Sequence, residues 1–225
     1  EKIKVGATES MSKSKKNTID PEDIIKKYGA DAVRLFILSD SPPEKDVQWS
    51  DQGMVSSYKF IQKFWILHKK IINKISENKK YNQVKQSSLN RFTNVLINKV
   101  TKNLENFHYN VIVANLYETY NFLIKEINKD LNGDNLLENY ESILKIMRPV
   151  IPHLTAECLD ELNTKNQDNW PKVNEEYILD NEVNVVIQIN GKKRSIINIE
   201  KNLDEKTLIT AVKEDTNIKK FLENN

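Results

Sequence analysis

Cysteine is almost missing from this chain. The one thiol, Cys158, can close no disulfide within it, so packing rather than cross-linking has to hold the fold, and a reducing cytosol suits such a sequence. Histidine is nearly as scarce: three histidines and one cysteine scattered over 225 residues offer none of the paired spacings of a zinc site, and no metal ligand is expected. No apolar run approaches the ~20 residues that cross a bilayer, and the N-terminal residues lack the basic-then-apolar order of a signal peptide. An excess of one charge is missing too. Lys and Arg number 34 against 32 Asp and Glu, leaving +2, which is too little for a global field to draw the chain onto a nucleic acid or a membrane. Any anion site must be local. The expectation is a soluble, cytoplasmic protein, with neither membrane nor DNA as a partner.

The residues present describe an ordinary folded protein, with 39% hydrophobic, 29% charged and a mean hydropathy of −0.60. A chain of this length can bury a sizeable core as one large domain or two smaller ones. It begins at Glu1 rather than methionine, from which a longer parent protein is expected.

Three zones follow one another. In the first, Asp20-Pro21-Glu22-Asp23 reads as a helix start, with Asp20 capping, Pro21 at the first helical position and acids at the positive end of the dipole. Gly29 closes that helix. A second is expected from Asp31 to Leu38 with Val33, Phe36 and Ile37 as its apolar face, broken by Ser39-Asp40-Ser41-Pro42-Pro43. From Asp51 the period becomes that of long bundle helices. Met54, Tyr58, Ile61, Trp65, His68, Ile72 and Ile75 form one stripe; Phe92, Leu96, Val100 and Leu104 a second; Val113, Leu116, Tyr120, Leu123, Ile127 and Leu131 a third. Asn132-Gly133-Asp134 separates the third helix from a fourth, which runs through Tyr140, Leu144 and Met147. Pro149 and Pro152 interrupt it before Leu154, Cys158, Leu159 and Leu162 resume the period. Past Trp170-Pro171 the pattern alternates: Val183, Val185, Ile187 and Ile189 share one face, and Asn190-Gly191 is a two-residue hairpin turn leading into a return strand from Lys192 to Ile199. Asp204 caps a helix carrying Leu208, Ile209 and Val212, and a further short one is expected near Ile218 to Leu222. Two strands are few for an independent sheet, so more strands are expected beyond Asn225.

The chemistry starts at "ESMSKSKKN", Glu9 to Asn17. A Met-Ser-Lys-Ser tetrapeptide arises easily by chance in a chain rich in Lys and Ser. Its collinear context is what distinguishes it. "MSKSKKNTIDPEDIIKKYGADAVRLFIL" resembles the class I aminoacyl-tRNA synthetases, in which a mobile Lys-Met-Ser-Lys-Ser loop precedes an Asn-x-x-x-Pro helix start and a Tyr-Gly-Ala-Asp helix. "PPEKDVQWSDQGMVSSYKFIQKFW" resembles the leucyl-tRNA synthetases in particular. "RPVIPHLTAECLDEL" is similar to a Pro-x-x-Pro-His segment shared by the leucyl, isoleucyl, valyl and methionyl enzymes, and "VVIQINGKKR" resembles the C-terminal appendage of the bacterial-type leucyl enzymes. The resemblance runs the length of the chain, in order.

The resemblance implies a mainly α fold in three parts: the end of a class I catalytic domain over 1–50, a helical bundle of the anticodon-binding type over 51–165, and a small, incomplete α/β tRNA-contacting domain over 166–225. It implies leucine activation with ATP and Mg2+ and transfer to tRNA(Leu) by the full-length enzyme, a monomer. The nucleotide-binding sheet, the leucine pocket and the editing domain of the family have no counterpart in the sequence, so Glu1 to Asn225 alone is expected to be inactive. Met11, Ser12, Lys13 and Ser14 match the ATP-contacting loop, a resemblance that implies Lys13 as the catalytic charge facing the leaving pyrophosphate. The chain departs from the family at Ser10, which stands where the loop's first lysine would be; whether Lys15 or Lys16 replaces it is open. Arg91 matches an arginine on a tRNA-facing bundle helix, with a solvated helix face as the alternative. Lys192, Lys193 and Arg194 form a positive hairpin tip, either a protected sheet edge or a contact to tRNA phosphates. His68 and His153 read as structural, and Arg34 as the partner of a neighbouring acid. A different class of function stays open: a stand-alone tRNA-binding or interaction module, or a piece of the valyl, isoleucyl or methionyl enzyme.

Overall fold

The computed structural model describes residues 8–77, 87–178, 182–200, 204–215 and 218–219. The chain forms two compact units, Glu1–Val173 and Asn174–Asn225. The first carries seven described helices: α1 (Pro21–Tyr28), α2 (Ala30–Asp40), α3 (Asp51–Glu77), α4 (Ser87–Glu105), α5 (Tyr109–Glu126), α6 (Gly133–Met147) and α7 (Pro152–Glu161). The second carries an antiparallel pair, β1 (Glu182–Ile189) and β2 (Lys192–Glu200), and a helix, α8 (Glu205–Glu214). The fold is therefore mainly α, as the periodicity indicates. Among the described residues no helix is long and apolar enough to cross a membrane.

The start of α1 follows its sequence signals closely. The Asp20 carboxylate accepts from the Glu22 N–H at 2.9 Å, Pro21 takes the first turn, and Lys26 and Lys27 lie in the last. Gly29 ends α1 and begins α2 at a φ of 82°, a left-handed backbone open to glycine at little cost. That turn carries Asp31 into the first turn of α2. The buried face of α2 is Asp31, Ala32, Leu35 and Phe36, not the expected Val33, Phe36 and Ile37; Ile37 is exposed. The helix is gripped by neighbours on its Asp31 side, and this turns the face by about one residue.

That grip is the central tertiary contact of the first unit. Asp31, only 7% exposed, accepts from the backbone N–H of His153 at 3.2 Å, from that of Leu154 at 2.6 Å and from His153 Nδ1 at 2.8 Å. Two of these are donors at the start of α7 that the helix itself cannot satisfy. One turn along α2, the Arg34 guanidinium donates to the carbonyls of Pro149 at 2.6 Å and Val150 at 3.2 Å, just beyond α6. The expectation that Arg34 pairs with an acid is thus corrected: its partners are carbonyl oxygens, because an outgoing helix end carries partial negative charge.

Trp49 and Ser50 set the entry of α3. The Trp49 ring meets Phe36 edge-on at 5.3 Å and its indole N–H donates to Asp51 Oδ1 at 2.9 Å, while Ser50 Oγ accepts from the Gly53 N–H at 3.1 Å. Gly53 is required by packing. A Cβ there would lie 2.8 Å from the Phe36 ring, so glycine's cost in a helix, about 1 kcal/mol, is offset by the close approach of α2. Ala32, Phe36 and Met54 form this small core, with Tyr28, Trp49 and Tyr58 against it.

The larger core joins α3 to α7. Beyond Met54, which belongs to the small core, the buried face of α3 is Ser57, Phe60, Phe64, Leu67, His68, Ile71 and Ile75, so the expected stripe through Tyr58, Ile61, Trp65 and Ile72 lies to one side, half-buried. Both series keep the helical period, and the sequence leaves open which of two adjacent apolar rows faces inward, because α3 is wide enough to carry both. On α4 the buried row is Leu89, Thr93, Leu96, Ile97 and Val100, with Phe92 and Leu104 partly covered. Phe92 stacks on Phe122 at 3.7 Å, joining α4 to α5. The Asn132-Gly133-Asp134 turn is the start of α6 itself: Asn132 Oδ1 accepts from the Asn135 N–H at 2.9 Å.

In the second unit, Asn190 and Gly191 adopt φ of 51° and 73°, the left-handed pair of a tight hairpin. Val185, Ile187 and Ile189 are half-buried on one face while Val186 and Gln188 are exposed. Asp204 caps α8, accepting from the Thr207 N–H at 3.1 Å. Ile218 and Lys219 are helical, and the rest of the expected terminal helix, to Leu222, lies outside the described residues.

The Asp31 clamp gives a stability prediction. Asp31→Ala leaves two helix-start donors buried without an acceptor, and hydrogen bonds to a charged group are worth about 1.5–3 kcal/mol. Urea unfolding followed by helical circular dichroism should show a loss of that size, whereas a loss below about 0.5 kcal/mol would remove the clamp from the forces that hold the unit.

Candidate functional site

The loop at Glu9 to Asn17 is a small, self-bonded turn. The Lys15 N–H donates to Ser12 O at 3.2 Å and Lys16 N–H to Lys13 O at 3.2 Å, with Lys16 at a φ of 53°. Asn17 staples its base: its Oδ1 accepts from the Ser12 N–H at 2.8 Å and its Nδ2 donates to Ser10 O at 3.3 Å. Ser12 and Ser14 bring their hydroxyls to 3.2 Å of each other. The serines thus shape the turn, as their hydrogen-bonding capacity permits. Lys13 projects from its crest and is exposed; among the described residues no side-chain partner is found for it. Lys15 is different, because its ammonium meets Glu9 Oε2 at 2.8 Å. Met11 is exposed as well. The arrangement offers an ammonium and two hydroxyls to an incoming anion.

The other expected site residues lie elsewhere in the chain. Arg91 is exposed on the first turns of α4. Lys192 and Lys193 are exposed at the start of β2, and Arg194 is half-buried. The register explains that split. Ile187 pairs with Ser195 and Gln188 with Lys193, so Arg194 is the extra residue of a β-bulge, which re-aims a side chain. The tip presents two solvent-facing ammonium groups rather than three equivalent cations, a distinction the residue string alone does not carry.

The clustered titratable groups of the bundle interior are a separate matter. His68 is fully buried; its Nδ1 lies 3.1 Å from the Tyr140 hydroxyl and its Nε2 3.0 Å from Glu161 Oε2. Lys69 also binds Glu161 and sits over the Trp65 ring at 4.3 Å. A carboxylate only accepts, so Nε2 carries the proton and Nδ1 accepts from Tyr140. Burial lowers the His68 value from the ordinary 6.5 against the raising effect of Glu161. Burial also raises Tyr140 well above its usual value and pushes the Cys158 thiol up to about 12. A thiol so disfavoured as thiolate is no nucleophile. His68 is the satisfied core histidine expected from its place in an apolar stripe, and His153 is structural too, tied to Asp31.

The sequence pattern of the family described as "Anticodon-binding domain of tRNA ligase" matches residues 86–209, and that of "tRNA synthetases class I (I, L, M and V)" matches residues 4–50. A leucine–tRNA ligase of Wolbachia pipientis subsp. Culex pipiens (strain wPip) is 39% identical over 92% of this chain and 26% of its own length. One from Prochlorococcus marinus (strain MIT 9312) is 34% identical over 95% of this chain and 25% of its own. The chain thus spans about a quarter of the length of the curated relatives it matches. Among solved structures, agnB2 LeuRS of Agrobacterium radiobacter K84, in a ternary complex with tRNA and LeuAMS, superposes with a TM-score of 0.77 at 22% identity, covering 94% of this chain and 28% of that one. At that identity the likeness establishes the fold.

A pH prediction comes from His68. An imidazole neutral in the fold takes up a proton more readily when unfolded, so stability is complete above 6.5 and falls as pH drops below it, toward the depressed folded value. Glu161, lowered chiefly by its hydrogen bond to Lys69, acts only below its ordinary 4.5. Unfolding free energy should therefore decline between pH ~7 and ~5.5, and His68→Gln should flatten that decline; an unchanged slope would give His68 no part in it.

Proposed function

The chain belongs to the family of anticodon-binding domains of tRNA ligases, and from that premise we propose that it works as part of a leucine–tRNA ligase, supplying the mobile lysine loop, the helical bundle and a tRNA-contacting hairpin. The observation that carries this reading is collinearity: loop, short helix pair, bundle and hairpin occur in the order matched by leucine–tRNA ligases over 92% of the chain. In such an enzyme a leucine carboxylate oxygen attacks the α-phosphorus of ATP. The bond from that phosphorus to the bridging oxygen breaks, pyrophosphate leaves, and a ribose hydroxyl at the tRNA end then takes the leucyl group and releases AMP.

We assign Lys13 to the first step. Negative charge grows on the departing pyrophosphate, and an ammonium brought to it stabilises that charge more in the transition state than in the ground state. Ser12 and Ser14 hold the turn beneath it, and Met11 completes the nucleotide-facing segment. Lys15 is held by Glu9, whereas among the described residues no side-chain partner is found for Lys13. Among the described residues no group of three or more His, Cys, Asp or Glu is arranged to hold a metal ion; Mg2+ arriving with ATP would be carried by the phosphates, and no step is assigned to it. We assign residues 1–50 to the catalytic region, 51–165 to the bundle and 166–225 to tRNA contact, with Arg91, Lys192, Lys193 and Arg194 facing tRNA phosphates, a monomeric enzyme and a cytoplasmic setting.

Two measurements test this. In the full-length ligase, Lys13→Ala should slow adenylate formation roughly a hundred- to a thousandfold, the usual loss for one such stabiliser, with leucine KM little changed; an unaltered rate would reduce the loop to a solvated surface turn. The hairpin is tested by salt. Replacing Lys192 and Lys193 together by alanine should flatten the slope of log affinity for tRNA against log salt by roughly two, about one per phosphate contact, and adding Arg194→Ala should change it less. Binding unchanged by all three substitutions would make the tip a protected sheet edge.

A further inference from the structure

A pocket of about 300 Å³ opens at the far end of α6, lined by Lys145, Arg148, Pro149, Gln167, Asp168, Asn169 and Trp170. It lies within the first unit and includes none of the individual side chains named above for ATP or tRNA phosphates, although Gln167 to Trp170 open the segment assigned to tRNA contact. Its wall is Trp170, a large aromatic left 38% exposed. The ring is held in place, because its indole N–H donates to Thr101 Oγ1 on α4 at 2.9 Å. The cation beside it is held as well: Arg148 Nη1 meets Asp168 Oδ1 at 2.5 Å. Lys145 adds a second cation one turn earlier on α6, and Gln167, which lines the pocket, donates its amide to Asp160 Oδ1 at 2.7 Å while its carbonyl oxygen keeps the capacity to accept.

We propose that this pocket receives one unpaired nucleotide of an RNA partner. Trp170 offers a fixed π-face, the surface on which unstacked bases settle, and a guanidinium plane such as that of Arg148 is a second such surface. Two cations against one carboxylate favour a phosphate over a cationic ligand, and the amides of Gln167 and Asn169 supply a donor and acceptor edge for a base. The volume lies at the lower end of the range for small-ligand sites, enough for a nucleoside and too small for a duplex. The inference deepens the tRNA-contacting reading and rests on it. It adds a site that grips a nucleotide outside the helical stems, whereas Arg91 and the hairpin tip would contact backbone phosphates.

The test uses the whole 225-residue chain and three labelled probes, with affinity read by fluorescence anisotropy: tRNA, a single-stranded ten-nucleotide RNA of mixed sequence, and the same sequence as a duplex. Single-stranded RNA should bind more tightly than the duplex. Trp170→Leu should weaken single-strand binding by about five- to a hundredfold, the range for one stacked base, and leave duplex binding unchanged. Trp170→Phe keeps a π-face while losing the bond to Thr101, so it should retain most of the affinity; Thr101→Val, which loses the same bond, should behave like it. Equal losses in Phe and Leu variants would assign Trp170 to structure and overturn the proposal. So would a single strand bound no better than the duplex, or an oligoglutamate that displaces it with equal strength, which would mark a site for acidic polypeptide. Binding of tRNA that survives while single-strand binding fails overturns this site alone; a chain that binds no tRNA at all overturns the reading beneath it.

Discussion

One carboxylate serves two helix beginnings at once. Asp31 stands in the first turn of α2 and accepts hydrogen bonds from the first turn of α7, so the partial positive charges of both termini converge on it. Three residues on, Arg34 meets the carbonyls leaving α6. The short helix α2 therefore grips both sides of the α6–α7 corner, taking carbonyls from the outgoing helix and amide protons from the incoming one. Had the front piece been attached by apolar packing alone, it could slide along the bundle surface; hydrogen bonds of opposite sense at two points one turn apart fix its position and its rotation.

The position of the lysine loop follows from that constraint. The loop runs directly into the Asp20-capped α1, which turns at Gly29 into α2. Lys13 is thereby connected to a fixed base while its own turn is held, among the described residues, by local bonds from Asn17, Ser12 and Lys15. A segment with few long-range contacts on a rigid mount can change shape without disturbing the core, and that suits a group that must approach phosphates and later release them. Phe36 against Gly53 completes the mount, since the ring lies where a side chain at position 53 would collide.

Much of this was legible in the residues. Asp20-Pro21, the Asn190-Gly191 turn and Asp204 announce their elements because capping and tight turns depend on local chemistry. The helical period likewise marks α3 to α7 and the mainly α fold. The choice of inward row on α3 was not legible, since Phe60 and Phe64 and their neighbours Ile61 and Trp65 satisfy the same period, and only the other helices decide between them. Nor could Arg34 or Asp31 be assigned, because their partners lie more than a hundred residues away. The loop residues could be named from the sequence, whereas the exposed Lys13 and the Glu9-bound Lys15 are told apart only by the folded turn. Arg194 separated from Lys192 and Lys193 through a one-residue bulge that no alternation rule foretells. Trp170 drew notice only as a boundary, and the α6 terminus that makes it a wall is distant in sequence.

The buried state of Cys158 has a practical side. It is the sole thiol in the chain, enclosed between α6 and α7, and burial raises its value to about 12. Thiol-directed reagents consume the thiolate, so burial of Cys158 disfavours its reaction with maleimides and spin labels in the folded protein at neutral pH. A cysteine introduced on the surface would then be the only reactive one, with no need to remove the native residue and open a cavity in the core. Reporter groups placed in pairs, one on the lysine loop and one on an exposed position of the bundle, would read the distance between them directly, against a background that the packing of a single side chain keeps low.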